Sequence, residues 1–288
     1  GICEGNIAIS RAIALELHPV IDRTRAISLL YATNYAGWLV GPLAGGYLMY
    51  LGVDTVFYIA GVVTLVTILV VAVAVVRQAP AAKQHHYLWQ AIAANNSLGL
   101  LREASIRPLV MYHLLFALGL NAFYEFYPLW LVEAFSFSSV EIGWSTVVIT
   151  LAMIISSIYA TGMAEKRFGH LGTVRRFSLV LGLLLVLLPA TNLFLLFPGF
   201  VACGAAIAVA NGVFPGYMAN RFEQFGHGRV QGLLTTNFCA ANVIISLAGS
   251  VIALLGAGWS IVAGGLLCCC ASLWLGNRVI GTPSVARA

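Results

Sequence analysis

Between residues 109 and 134, His113, Ala117, Asn121, Tyr124, Glu125 and Pro128 recur at helical spacings of three or four residues, with Tyr124 and Glu125 as neighbours. An imidazole, an amide, a phenol and a carboxyl thereby share one stripe of an otherwise apolar, aromatic segment. Glu125, flanked by Tyr124, Phe126 and Tyr127, is a carboxyl in poorly hydrated surroundings, suited to exchanging a proton or pairing with a cationic ligand, with Asn121 and Tyr124 as hydrogen-bond partners. The alternative is that Glu125 and His113 only satisfy polar groups on neighbouring helices. Near the start of the chain Glu4 and Arg11, seven residues apart, share a helical face. Glu4 lies about 18–20 Å from the far end of its segment at about 1.5 Å per residue, a depth that suits a proton-carrying or ligand-binding carboxylate. Arg11 is shallower, and either holds a ligand, snorkels, or ties down another helix. Glu16 sits close enough to the segment end to pair with Arg23 or Arg25. Asn211, among Gly204, Gly212, Pro215 and Gly216, belongs to a flexible, polar-faced segment that reads as a gating helix or a close packing seam.

The elements that must position these groups are set by composition. With 60% hydrophobic and 9% charged residues, the chain lies far from the roughly 45–50% apolar and about 25% charged usage of soluble domains. It reads as an all-α membrane protein. Stretches long enough to cross about 30 Å of hydrocarbon as helices run over 1–17, 27–51, 55–76, 109–134, 140–163, 174–191, 194–219, 230–255 and 258–279, about nine spans with the first incomplete. The chain begins at Gly1 inside an apolar stretch without a basic flank, which reads as a protein lacking its N-terminal part rather than as a signal peptide. Cys203, Cys239 and the run Cys268-Cys269-Cys270 sit in apolar surroundings; three successive helical residues point in different directions, so they read as small packing groups and not as a metal site.

Charge sets the orientation. All 15 Lys and Arg except Arg11 fall in alternate connections or the tail, while the connections near 52–54, 135–139, 192–193 and 256–257 carry none. Basic loops resist translocation, so 18–26, 77–108, 164–176, 221–229 and the C-terminus are expected on the cytoplasmic side of a plasma (inner) membrane. The net charge of +5 then reports topology and not nucleic-acid binding. The organisation read from this pattern is residues 1–76, a linker over 77–108 with His85 and His86, a helical part over 109–280, and a tail over 281–288.

An internal repeat joins the two parts. At a separation of 204, Arg25, Leu29, Leu30, Ala36, Leu43, Ala44 and Gly45 meet Arg229, Leu233, Leu234, Ala240, Leu247, Ala248 and Gly249, and Thr33-Asn34-Tyr35 meets Thr236-Asn237-Phe238 one step out of register. Two similarly folded halves in so apolar a chain point to a secondary transporter with its binding site between the halves. Asn34 and Asn237 read as interhelical hydrogen-bonding groups deep in equivalent helices.

Three stretches resemble the major facilitator superfamily, specifically its twelve-helix drug:proton antiporter branch. Gly1-Ile2-Cys3-Glu4-Gly5-Asn6 with Ala14-Leu15-Glu16 is similar to that family's helix 4. Gly37-Trp38-Leu39-Val40-Gly41-Pro42-Leu43-Ala44-Gly45-Gly46 is similar to its helix 5 signature, where Gly37, Gly41, Gly45 and Gly46 allow close backbone approach and Pro42 bends the helix. Gly162-Met163-Ala164-Glu165-Lys166-Arg167-Phe168-Gly169 resembles the loop between helices 8 and 9, with the acid one place early so that Lys166 holds the usual acidic position. The resemblance implies helices 4–12 of twelve, a cavity lined by helices that include the fourth, seventh and tenth, and conformational roles for the glycines of 37–46, Pro42, Gly162, Glu165, Arg167 and Gly169. The expected activity is alternating access driven by a proton gradient, without a cofactor, expelling a small amphiphilic or cationic compound; Gly41-Pro42, which the second repeat lacks, favours efflux. The alternative is import of a sugar, organic anion or other metabolite, for which Arg11 and His113 suit an anion. A non-transporting receptor-like relative would keep the same fold. The six histidines are scattered, and no Gly-x-Ser-x-Gly, His-Glu-x-x-His or phosphate-cradling loop accompanies them, which argues against an enzyme. The expected partners are the lipid bilayer, a small-molecule substrate and the proton, with the complete protein working as a monomer.

Overall fold

In hydrocarbon every backbone N–H and C=O must be satisfied within the segment, and a chain of Leu, Ala, Val and Gly meets that demand as helices. The computed structural model describes residues 5–19, 22–74 and 97–280. Over these the chain forms α1 (Gly5–Leu17), α2 (Arg23–Leu48), α3 (Val53–Ala74), α4 (Arg107–Phe135), α5 (Ser139–Ile155), α6 (Thr161–Phe168), α7 (His170–Leu187), α8 (Leu193–Arg221), α9 (His227–Ala253) and α10 (Ala257–Leu275). A π-turn over Ser156–Ala160 joins α5 to α6, making one span of Ser139–Phe168. Glu4, the linker as far as residue 96 with His85 and His86, and the tail 281–288 lie outside the described residues.

Each apolar stretch read from the sequence meets a helix, and among the described residues 7 helices are long and apolar enough to cross a bilayer. The two others are α1, described over 13 residues, and α2, whose Arg23, Arg25, tyrosines and glycines dilute its hydropathy. Pro189 ends one span in a short 3₁₀ turn, whereas Pro198 and Pro215 are carried inside α8. The connection expected over 164–176 is much shorter: α6 runs to Phe168, α7 starts at His170, and Gly169 alone makes the turn at φ +68. Combined with ψ 170, that φ is a conformation that essentially glycine alone adopts without strain. At the opposite end of the same span Ser138 and Glu141 form a capping box at the start of α5.

Packing follows the small residues. α10 lies against both α4 and α7: a Cβ on Gly119 of α4 would press into Cys268 and the Gly264 carbonyl, and a Cβ on Gly182 of α7 would stand 2.5 Å from the Cys269 sulfur. Cys268 is buried while Cys270 is exposed, so the adjacent cysteines do point apart, two of them as small groups opposite glycine notches. α2 packs along α5, where a Cβ on Gly46 would lie 2.9 Å from the Ser139 carbonyl oxygen and one on Gly143 would lie 3.3 Å from Leu43 Cα. α1 packs on α9, and α8 packs on α2, α5 and α7. α3 stands apart, with Phe57, Leu65, Leu69 and Val73 exposed, a surface suited to hydrocarbon. The repeat is structural as well as sequential: α2 starts at Arg23 and α9 at His227, the same 204 residues apart.

Candidate functional site

Five helices enclose a cavity of about 150 Å³. α1 contributes Arg11. α2 contributes Tyr31, Asn34, Tyr35 and Trp38, and α4 contributes His113, Leu120 and Tyr124. Asn211 comes from α8, and Leu234, Thr235 and Phe238 from α9. On α2 the spacing is i, i+3, i+4, i+7, and on α9 it is i, i+1, i+4, so each helix turns one continuous face to the cavity. The repeated Thr-Asn-aromatic elements therefore meet at the cavity from two sides, with Asn34 and Tyr35 in its wall from one and Phe238 from the other.

The wall is aromatic, cationic and rich in neutral donors. The Arg11 guanidinium lies over the Tyr31 ring, 4.7 Å from its centroid, a cation–π contact. Arg11 Nε and Thr235 Oγ1 are buried without a hydrogen-bond partner among the described residues, polar capacity that a bound molecule can use. Asn211 Nδ2 donates to the Tyr35 hydroxyl at 3.2 Å, joining α8 to α2. Trp38 meets Tyr124 edge to face at 4.9 Å, and His113 stacks on Phe214 at 5.5 Å. Among the described residues no Asp or Glu lines the cavity.

The residues singled out in the sequence part company here. Arg11, His113, Tyr124 and Asn211 share the cavity. Asn121 and Glu125 turn instead to the seam with α9: Asn242 Nδ2 donates to Asn121 Oδ1 at 3.3 Å, and the Ser246 hydroxyl donates to Glu125 Oε1 at 2.9 Å. Asn237 bridges helices, its Nδ2 lying 3.2 Å from the Val110 carbonyl oxygen and 2.9 Å from His113 Nδ1. The sequence reading missed Tyr31, Tyr35 and Trp38. Their helical spacing with Asn34 is a usable signal, masked by the glycine signature that overlaps it. Gly37, Gly41 and Gly45 have open space where a Cβ would stand, and the backbone of Pro42 adjoins Gly143.

A second group of polar contacts ties the ends of the helices that carry the basic loops. Arg23, at the start of α2 and one of the two partners expected for Glu16, donates instead to Asn220 Oδ1 and to Glu223 Oε1, each at 3.0 Å. Glu223 is exposed, yet the Arg23 hydrogen bond and charge hold its carboxyl below the ordinary value of 4.5. Glu165 accepts from Thr24 Oγ1 at 3.3 Å and pairs with His170 Nε2 at 2.9 Å. Arg167 lies beside the Phe168 ring, and Gly162 has open space at its Cβ position.

The comparisons agree with this architecture. The human organic anion transporter MFSD10 (TETRAN), known from a crystal structure, superposes with a TM-score of 0.74 over 94% of this chain and 68% of that one at 19% identity, a likeness of fold. Multidrug resistance protein 2 of Bacillus subtilis (strain 168) is 24% identical over 174 residues, 59% of this chain. This chain spans 42% of the length of that relative. The Major Facilitator Superfamily model matches residues 1–246, and the chain belongs to that superfamily.

Proposed function

We propose that the protein is a secondary active carrier that works by alternating access and seats an amphiphilic organic anion in the cavity between α1, α2, α4, α8 and α9. The observation that carries this reading is the Arg11 guanidinium in a wall without a carboxylate among the described residues. A partly buried guanidinium that no described carboxylate faces gains a charge-assisted contact from an anionic substrate. Tyr31, Trp38, Tyr124 and Phe238 offer ring faces and edges to an apolar body. Among the substrate classes the sequence leaves open, an anion fits this wall better than a cation does. The fold likeness to an organic anion transporter is compatible with it. Coupling to a proton gradient is assigned to Glu125, whose carboxylate accepts from Ser246 across the α4–α9 seam; taking up a proton there changes a contact between helices that must move together.

A second reading, efflux of cationic or amphiphilic drugs, rests on the likeness to Multidrug resistance protein 2 and on the Gly37–Gly46 signature. Counterflow in proteoliposomes separates the two. Vesicles preloaded with an aromatic carboxylate are expected to exchange it for external label, and vesicles preloaded with a quaternary ammonium dye are not; the reverse result overturns the anion reading. Imposing proton gradients of opposite sign then reads the direction of coupling.

A further inference from the structure

We infer that Asn237 is a positioning residue that holds His113 as the neutral tautomer protonated on Nε2, leaving that N–H as the cavity's donor beside Arg11; the donor role rests on the anion reading above. Asn237 carries two amide protons on Nδ2 and none on its oxygen. Its Nδ2 stands 3.2 Å from the Val110 carbonyl oxygen. A carbonyl only accepts, so the amide nitrogen and not the amide oxygen must face α4 at this point. The same nitrogen is 2.9 Å from His113 Nδ1, and one amide therefore spans two acceptors three residues apart on one turn of α4. Nδ1 must present a lone pair to it. In a neutral imidazole the remaining proton is then on Nε2.

The ring plane is fixed independently. Phe214 stacks on His113 at 5.5 Å with an interplanar angle of 11°, so the imidazole is held by its face on one side and by one nitrogen at its edge. His113 lines the same cavity as Arg11, and the Nε2–H is the polar group it has left to offer. A guanidinium and an imidazole N–H together make a two-point grip on a carboxylate, in which the first supplies charge and the second direction. His113 in this role donates a hydrogen bond and carries no coupling proton.

The test uses the full chain, labelled with ¹⁵N-histidine, in lipid nanodiscs at neutral pH. The spectrum lost on His113→Gln assigns the resonances among the six histidines. The expected pattern for His113 is an unprotonated Nδ1 and a protonated Nε2 in the wild type, and a mixture of tautomers in Asn237→Leu. A protonated Nδ1 in the wild type overturns the inference, whatever the cavity binds. Benzoate is then titrated as the probe. His113→Gln, whose amide nitrogen reaches the place of Nε2, is expected to keep affinity within a few fold, whereas His113→Leu loses roughly tenfold or more. A folded His113→Gln that loses as much as His113→Leu overturns the donor role. If benzoate leaves the Nε2 resonance unmoved in the wild type, the anion reading falls while the Asn237–His113 assignment stands.

Discussion

Arg11 carries the substrate reading, and the physics of its site sets the size of the effects to expect. Its guanidinium rests on Tyr31 at 4.7 Å, and removing its charge deletes a charge-assisted contact worth about 1.5–3 kcal/mol. Arg11→Gln is accordingly expected to lower counterflow of an aromatic carboxylate at least tenfold with insertion unchanged. Arg11→Lys should recover only part of that loss, since an ammonium keeps the charge but neither the planar fork nor the stacking. Glu125→Gln keeps the acceptor for Ser246 and removes the titrating proton; counterflow should survive while uptake driven by a proton gradient disappears. Gradient-driven uptake that persists at all pH values would remove Glu125 from the coupling step. The difference between Tyr124 and Glu125 also shows what was legible in the sequence. The polar stripe on α4 was visible from spacing, but adjacent residues are turned about 100° from one another. His113, Leu120 and Tyr124 therefore reach the cavity while Glu125 faces α9, and periodicity within one helix does not reveal which neighbour lies on either side.

At the scale of elements, the helices were readable because hydrocarbon leaves the backbone few choices, whereas their pairings were not. The Cys268-Cys269-Cys270 run illustrates the limit. Its apolar surroundings indicated packing groups, yet nothing in the local sequence says that α10 lies in two notches, with Cys268 against Gly119 and Cys269 against Gly182. That geometry makes a sharp prediction. A side chain on Gly119 or Gly182 must displace helix backbone, since the Gly264 and Gly265 carbonyls stand beside the cysteine sulfurs. Gly182→Val should cost about 1–3 kcal/mol or more by overpacking, seen as a lowered unfolding temperature in detergent. Gly162→Ala, with open space at its Cβ position, should leave that temperature nearly unchanged. Pairing of Gly182→Val with Cys269→Ala should recover part of the loss, because the sulfur is one of the atoms displaced.

For the whole molecule, the 204-residue repeat was the most informative feature of the sequence, and its structural counterpart is a cavity walled by both repeated helices. On the alternating-access proposal the cavity opens at each end in turn, and the polar contacts at the basic end would oppose opening there. Arg23 opens α2, while Asn220 lies in the last turn of α8 and Glu223 in the connection from α8 to α9; one guanidinium thus ties α2 to the α8–α9 end. Spacing along the chain does not reveal this pairing, since Arg23 and Glu223 are 200 residues apart and Glu16 lies nearer. The linkage sign follows from the depressed carboxyl of Glu223. A carboxyl whose folded value lies below its unfolded one stabilises the bridged state above the unfolded value of 4.5, and loses that contribution as pH falls through the folded value. Over the neutral range Glu223 therefore keeps the charge that Arg23 faces. Glu223→Gln should instead raise hydrogen exchange at the starts of α2 and α9 at every pH, because the amide cannot replace the charge that Arg23 faces. In the wild type that increase should appear only below pH 4.5. Equal exchange in the two proteins at neutral pH would mean that the Arg23–Glu223 bridge does not hold this end of the molecule closed.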